Sequence, residues 1–234
     1  MNIEIIAEIG QNHNGEISLA KELIHSAKEN GADVAKFQIY DAKSLFTKEN
    51  NDWYDYNCKT ELSYDEVLEL AELCKSIEIE FMASVFDKKR IEWLEEVNVK
   101  RYKVASRSVD DKELIEALIE TKKPLLISLG KWNGSGFPID NSSLDIRYLH
   151  CISKYPTKLS ELGLSKVDFS RYSGFSDHTI GTHAAEIAMV MGAKIIEKHF
   201  TLDKKMYGPD HEGSMIPEEL REIVEFKDDL LESM

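Results

Sequence analysis

The segment Glu197-Lys198-His199 closes an apolar run that begins at Ile195, so three ionisable side chains stand where a buried element ends. Similar endings recur along the chain. Glu8 is followed by Gly10-Gln11-Asn12-His13-Asn14-Gly15, and Lys36 and Gln38 sit two apart, on one face of an extended run. Further apolar runs end at Ser84, at Lys103 and Ser106, at Ser128, at His150 with Ser153 and Tyr155 beyond, and at Ser176-Asp177-His178. Lys36 and Lys103 supply point charges, and Ser84, Ser106, Ser128 and Ser176 supply neutral donors. That donor set suits a small molecule carrying phosphate and carboxylate. His178 and His199, ending adjacent parallel strands roughly 5 Å apart, are placed to share one divalent ion. Asp210, in Gly208-Pro209-Asp210, can add a carboxylate directly or through water. Each group also has a plainer role: a lysine whose stem lies along the surface, or a hydrogen-bonded core histidine. His13, His25, His183 and His211 fit solvated or structural positions, with His13 the exception because its loop follows a strand end.

Chemistry of this kind needs elements that bring strand ends together. Eight β-rich runs occur at residues 4–9, 33–39, 80–85, 101–105, 124–129, 146–151, 172–176 and 194–200. Helical patterns separate most of them. Ser18 suits a helix cap before Leu19, Leu23, Ile24 and Ala27, with Gly31 beyond the end. Ser63-Tyr64-Asp65-Glu66 fits a capping box. Further helices are expected near 87–97, 111–121, 182–191 and 217–231, the last with Pro217 in its first turn. Alternating strands and helices predict a parallel sheet, and eight units predict a single α/β domain over 1–234, a TIM (β/α)8 barrel. The fifth helix is reduced: GKWNGSGFPIDNSSLD carries Gly and Pro where that helix belongs. Trp132 and Phe137 in this loop are expected to cover the exposed wall or to recruit a partner. Residues 157–170 leave room for one or two helical turns. In such barrels the active site forms at the carboxyl ends of the strands, so Glu197 and His199 are expected to face it together.

Composition narrows the partners. A formal net charge of −14 argues against a nucleic-acid backbone as ligand. No run reaches the roughly 18 apolar residues of a membrane span, and the first ten residues lack a signal-peptide pattern. A cytoplasmic location is therefore expected, with no membrane and no nucleic acid as partner. Cys58, Cys74 and Cys151 are odd in number and lack CxxC spacing, so neither a disulfide framework nor a thiolate zinc site is suggested.

Taken together, these stretches resemble the NeuB family of sialic acid synthases. The resemblance rests on Ala7-Glu8-Ile9-Gly10-Gln11-Asn12-His13-Asn14-Gly15, the run 31–38, Tyr102-Lys103-Val104-Ala105-Ser106, Leu149-His150-Cys151, Tyr155-Pro156-Thr157, Gly174-Phe175-Ser176-Asp177-His178-Thr179, and Glu197-Lys198-His199-Phe200-Thr201 through His211. It implies condensation of phosphoenolpyruvate with an N-acylated amino-sugar aldehyde such as N-acetylmannosamine, giving a nonulosonic acid and phosphate. It further implies that Lys36, Ser84, Lys103, Ser106, Ser128, Ser153 and Ser176 hold phosphoenolpyruvate. His178 and His199 would bind Mn2+ or Mg2+ as a Lewis acid for the aldehyde. Glu8, Lys36, Gln38, Tyr155 and Asp210 would act on metal, water and sugar as the catalytic set.

Several departures from the family pattern bear on that expectation. Family members carry a small C-terminal antifreeze-like domain that supplies an arginine to the sugar's N-acyl group. This sequence shows no such segment after its eighth helix, so a homo-oligomer or a separate lid protein is expected to complete the site. The family's Gly-Ser-Gly-acid is Ala105-Ser106-Arg107-Ser108, its Ser-Thr-Gly-Met is Ser128-Leu129-Gly130-Lys131, and an Asn is replaced by Ser153. Arg107 and Lys131 can replace the missing arginine or favour a more anionic acceptor. Two other readings stay open: a ligand-binding or accessory barrel impaired by loss of the acid at 108, and a metal-dependent aldolase-type enzyme with a different acceptor.

Overall fold

Eight parallel strands pair in chain order in the computed structural model, which describes residues 2–139 and 143–234, and the first strand pairs with the last to close a barrel. The strands are β1 (Glu4–Gly10), β2 (Val34–Ile39), β3 (Glu80–Val85), β4 (Tyr102–Val104), β5 (Leu125–Ser128), β6 (Ile146–Cys151), β7 (Gly174–Asp177) and β8 (Ile195–His199). All eight lie within two residues of the sequence expectation at each end. The expected (β/α)8 fold is observed.

Side-chain alternation along these strands stacks the barrel interior in three layers. At the amino end, Arg101 bonds Glu4 at 2.6 Å and Glu80 at 2.8 Å. Above it lies an apolar plug of Ile6, Val34, Met82, Leu126, Leu149 and Ile195. Each is essentially inaccessible, and burying a side chain of this size contributes about 1.5–3 kcal/mol. Two residues further along the same strands come Glu8, Lys36, Ser84, Ser128, Cys151 and Glu197, at the carboxyl mouth. Register fixes their level: Glu8 lies opposite Lys36 and His199, Gln38 opposite Ser84, Ser84 opposite Lys103, and Ser176 opposite Glu197.

The helices form the outer layer: α1 (Ile17–Glu29), α2 (Ala42–Leu45), α3 (Tyr54–Lys59), α4 (Tyr64–Ser76), α5 (Lys88–Glu96), α6 (Lys112–Glu120), α7 (His183–Val190) and α8 (Pro217–Glu232). Ser63 and Glu66 make the expected reciprocal capping box before α4. Asp87 and Asp111 cap α5 and α6 through their side chains. Ser18 does not cap α1: the cap falls two residues earlier, at Glu16, and Ser18 is already inside the first turn. Two short helices, α2 and α3, precede α4 where one was expected.

Among the described residues no helix lies between β5 and β6. Phe137 of that loop stacks on Tyr148 with centroids 4.2 Å apart, and Trp132 packs against the same core. The loop thus covers the wall from which the helix is missing; residues 140–142 fall outside the described ones. Between β6 and β7 there are only two single 3-10 turns, at Leu159–Glu161 and Leu164–Lys166. No described helix is long and apolar enough to cross a membrane.

Candidate active site

The carboxyl mouth encloses a cavity of about 390 Å3. It is lined by Glu8, Lys36, Gln38, Ser84, Lys103, Ser106, Ser128, Ser153, Tyr155, Ser176, His178, His199 and Asp210, all expected there from the sequence.

Its floor is an ion network rather than a row of free cations. Lys36 and Lys103 are each 2% exposed, so their ammonium groups need partners. Lys36 Nζ lies 2.5 Å from Glu8 Oε2 and 3.4 Å from Glu197 Oε2. Lys103 Nζ donates to Ser128 Oγ at 2.8 Å and stands 3.5 Å from Glu197 Oε1. Ser176 Oγ donates to that same Glu197 oxygen at 2.9 Å. Gln38 Nε2 donates to Glu8 Oε1 at 2.9 Å. Glu197 therefore bridges the two lysines, and Glu8 orients Lys36 from the other side.

Burial and charge act against each other here. Burial alone would push Lys36 down, but Glu197 and Glu8 outweigh it and hold the ammonium above its ordinary range. Burial and the neighbouring Lys36 leave Lys103 below its ordinary value despite Glu197. Burial would raise Glu197, yet Lys103 and Lys36 pull it down to about 2. A ligand anion arriving at this floor meets two cations whose charge is only partly neutralised at bonding distance. Ser106 accepts from Lys131 N at 2.7 Å and from Ser153 Oγ at 3.0 Å, which ties the segments after β4, β5 and β6 together on one side of the cavity and leaves the Ser106 hydroxyl proton to donate.

His178 and His199 meet at the opposite rim, ring centroids 5.9 Å apart. The Tyr155 ring covers His178 at 4.1 Å. His178 Nδ1 lies 2.8 Å from Ile152 O, an acceptor, so Nδ1 carries the proton and Nε2 keeps its lone pair. Burial first, then His199, lowers the His178 pKa to about 3, which keeps the ring neutral. His199 Nδ1 is buried with no hydrogen-bond partner, its nearest carboxylate being Asp210 Oδ2 at 3.9 Å. A neutral imidazole oriented by a carbonyl, beside a second with an orphaned nitrogen, is the donor chemistry that a divalent ion uses. Among the described residues no group of three or more His, Cys, Asp or Glu converges on one point. The pair thus fits an ion that keeps water or substrate oxygens in its remaining positions.

The structure also adds to and corrects the sequence expectation. His150 does not face the mouth: strand parity turns it outward, where it packs between Tyr172 and Phe175, and Cys151 takes the inward position. Asp177 and Lys198 form a buried pair at 2.9 Å at the ends of β7 and β8, and both border the cavity. Their signal was the opposite charges on two strand ends, but register was needed to pair them. Phe46 and Phe86 supply apolar wall and had no sequence signal. Ser108 is buried in a 3-10 turn and does not line the cavity. His13, set apart because its loop follows a strand end, does not line the cavity: it is buried, with Nδ1 accepting from Gly15 N at 3.2 Å.

A closed (β/α)8 barrel whose carboxyl mouth joins buried lysines to an imidazole pair places its candidate active site where barrels of this class carry theirs. The NeuB family pattern matches residues 23–234. The chain is 37% identical to the N,N'-diacetyllegionaminic acid synthase of Legionella pneumophila, over 96% of this chain and 71% of that protein. It is 34% identical to the pseudaminic acid synthase of Helicobacter pylori, over 91% and 69%. The crystal structure of N-acetylneuraminic acid synthetase from Leptospira borgpetersenii in complex with citrate superposes with a TM-score of 0.89 at 30% identity, covering 98% of this chain and 84% of that one. This chain belongs to the NeuB family.

Proposed function

We propose that this protein condenses phosphoenolpyruvate with an amino-sugar aldehyde, giving a nonulosonic acid and inorganic phosphate. The observation that carries the reading is the Lys36–Glu197–Lys103 bridge, a buried cationic floor at the strand ends of a chain whose relatives are synthases of such acids. Phosphoenolpyruvate offers a carboxylate and a phosphate. Lys103 with Ser106, Ser128 and Ser153 receives one anionic end, and Lys36 with Ser84 and Ser176 the other. The enol methylene carbon forms the new bond to the aldehyde carbon, one water adds at C2, and phosphate departs with its bridging oxygen. Holding both reactants on one floor makes the encounter effectively intramolecular.

His178 and His199 would hold Mn2+ or Mg2+, which supplies Lewis acidity toward the aldehyde oxygen. Glu8, fixed between Lys36 and Gln38, is placed to orient the water; Tyr155 and Asp210 line the acceptor side. The test is phosphate release from phosphoenolpyruvate with manganese and a panel of N-acylated amino sugars, with and without chelator. Release that requires both sugar and metal supports the synthase. Binding of phosphoenolpyruvate without release under any acceptor would show an accessory barrel instead, and a product of other mass a different acceptor chemistry.

A further inference from the structure

The imidazole pair is a wall shared by two cavities. Tyr155, His178, His199 and Asp210 line the carboxyl mouth, and the same four residues line a second, smaller chamber of about 80 Å3. Pro156, Pro209, Glu212 and Gly213 complete that chamber. The Tyr155 ring stands against both imidazoles, its centroid 4.1 Å from that of His178 and 5.9 Å from that of His199. Tyr155, Pro156 and Glu212 are exposed, so the chamber meets solvent where these three stand. At roughly 30 Å3 per water, it has room for a short file of waters.

Charge distinguishes the two ways in. Among the described residues lining the mouth, five Lys and Arg stand against four Asp and Glu. The described lining of the side chamber carries Asp210 and Glu212 and neither Lys nor Arg. Glu212 is exposed, and no ion pair among the described residues takes it up. A cleft lined by one sign of charge concentrates ions of the other sign and speeds their arrival. The mouth therefore suits the entry of an anion, and the side chamber the entry of a cation. Between them His199 Nδ1 is buried without a hydrogen-bond partner, 3.9 Å from Asp210 Oδ2.

We propose that the divalent ion reaches His178 and His199 through the side chamber and not through the substrate mouth, with Glu212 attracting it at the entrance and Asp210 further in. This rests on the metal-dependent reading of the site and adds a route to it. Glu212 acts on the rate of arrival and is no ligand of the bound ion. It follows that the ion exchanges with solvent while phosphoenolpyruvate fills the mouth.

The experiment follows free Mn2+ with an indicator dye in stopped flow at fixed ionic strength, so turnover plays no part. Glu212→Gln is expected to slow Mn2+ association at least three-fold and Glu212→Lys at least ten-fold, with dissociation changed less than two-fold. Glu232→Gln removes the same charge at the end of α8, on the amino face of the barrel, and is expected to change association less than two-fold. Arg107→Gln takes a cation from the mouth and is expected to do the same. Saturating phosphoenolpyruvate is expected to leave at least half of the association rate. Association that is insensitive to Glu212, equally sensitive to Glu232, more than two-fold faster in Arg107→Gln or more than two-fold slower with phosphoenolpyruvate would each overturn the proposal. So would an absence of Mn2+ binding. Phosphate release is measured separately. The expected rates without release from any acceptor would sink the synthase reading and leave the route standing, whereas metal-dependent release with association insensitive to Glu212 would do the reverse.

Discussion

Lys36 Nζ lies 2.5 Å from Glu8 Oε2, in a layer from which solvent is almost excluded. Removing one member of a buried pair leaves the other uncompensated, typically at about 3–5 kcal/mol. Lys36→Met is therefore expected to destabilise the protein by about 3 kcal/mol, since it strands Glu8 and half of the Glu197 pairing. Adding Glu8→Gln should recover at least about 1 kcal/mol of that loss, because the second change removes the orphaned charge. Urea unfolding of the two singles and the double measures the coupling. Simple additivity would mean that the two groups do not compensate one another.

The histidine pair makes a separate prediction about metal. His178→Ala and His199→Ala are each expected to weaken Mn2+ binding at least ten-fold and to abolish chelator-sensitive activity, while the fold persists. Electron paramagnetic resonance of free Mn2+ reads the binding without any need for turnover. Unchanged Mn2+ affinity in both variants would remove these residues from the metal site.

How much of this was legible in the sequence depends on whether a feature is local. Mouth-facing ends of β1, β2, β5 and β8 could be read because polar residues close otherwise apolar runs, and the missing fifth helix because Gly and Pro stand in its place. Pairings could not be read. That Glu197 bridges Lys36 and Lys103 depends on inter-strand register, which one sequence does not encode locally. His150 was misplaced by one residue, and in a strand one residue reverses the face. α2 and α3 escaped because four and six residues show no helical period, although Asp41 accepting from Ser44 N supplies a cap. Their cost to the reading was real, since Phe46, which follows α2, positions Arg107.

Burial also predicts how stability responds to pH. His13 is 1% exposed, and burial, partly offset by Glu66, lowers its pKa from 6.5 to about 4. Between those values the unfolded chain binds a proton that the folded protein refuses, so unfolding is favoured as pH falls. The neutral ring's contribution is complete above pH 6.5 and is lost progressively down to about 4, an effect on the order of 3 kcal/mol. His13→Gln should flatten the slope of unfolding free energy between pH 6.5 and 4 relative to the unmodified protein. Parallel slopes would show that His13 titrates in the folded state as it does in water.

The turn at residues 106–108 carries the last prediction. The family pattern places an acid at 108, and if its loss limits catalysis, Ser108→Glu would raise turnover. The structure argues the opposite. Ser108 is 7% exposed, its N–H bonds Ala105 O at 2.9 Å, its carbonyl accepts from Asp111 N at 3.1 Å, and its side chain is absent from the cavity lining. A carboxylate introduced there begins in a buried turn, and reaching water or Arg107 requires the turn to open. Ser108→Glu is therefore expected to lower the unfolding free energy by about 1–3 kcal/mol. It is also expected to leave phosphate release no higher than before. A gain in turnover with unchanged stability would mean that the turn rearranges cheaply and that the acid belongs to the chemistry. A loss of both would place the role of this position in holding Ser106 and Arg107, its neighbours on the cavity wall, at their present spacing.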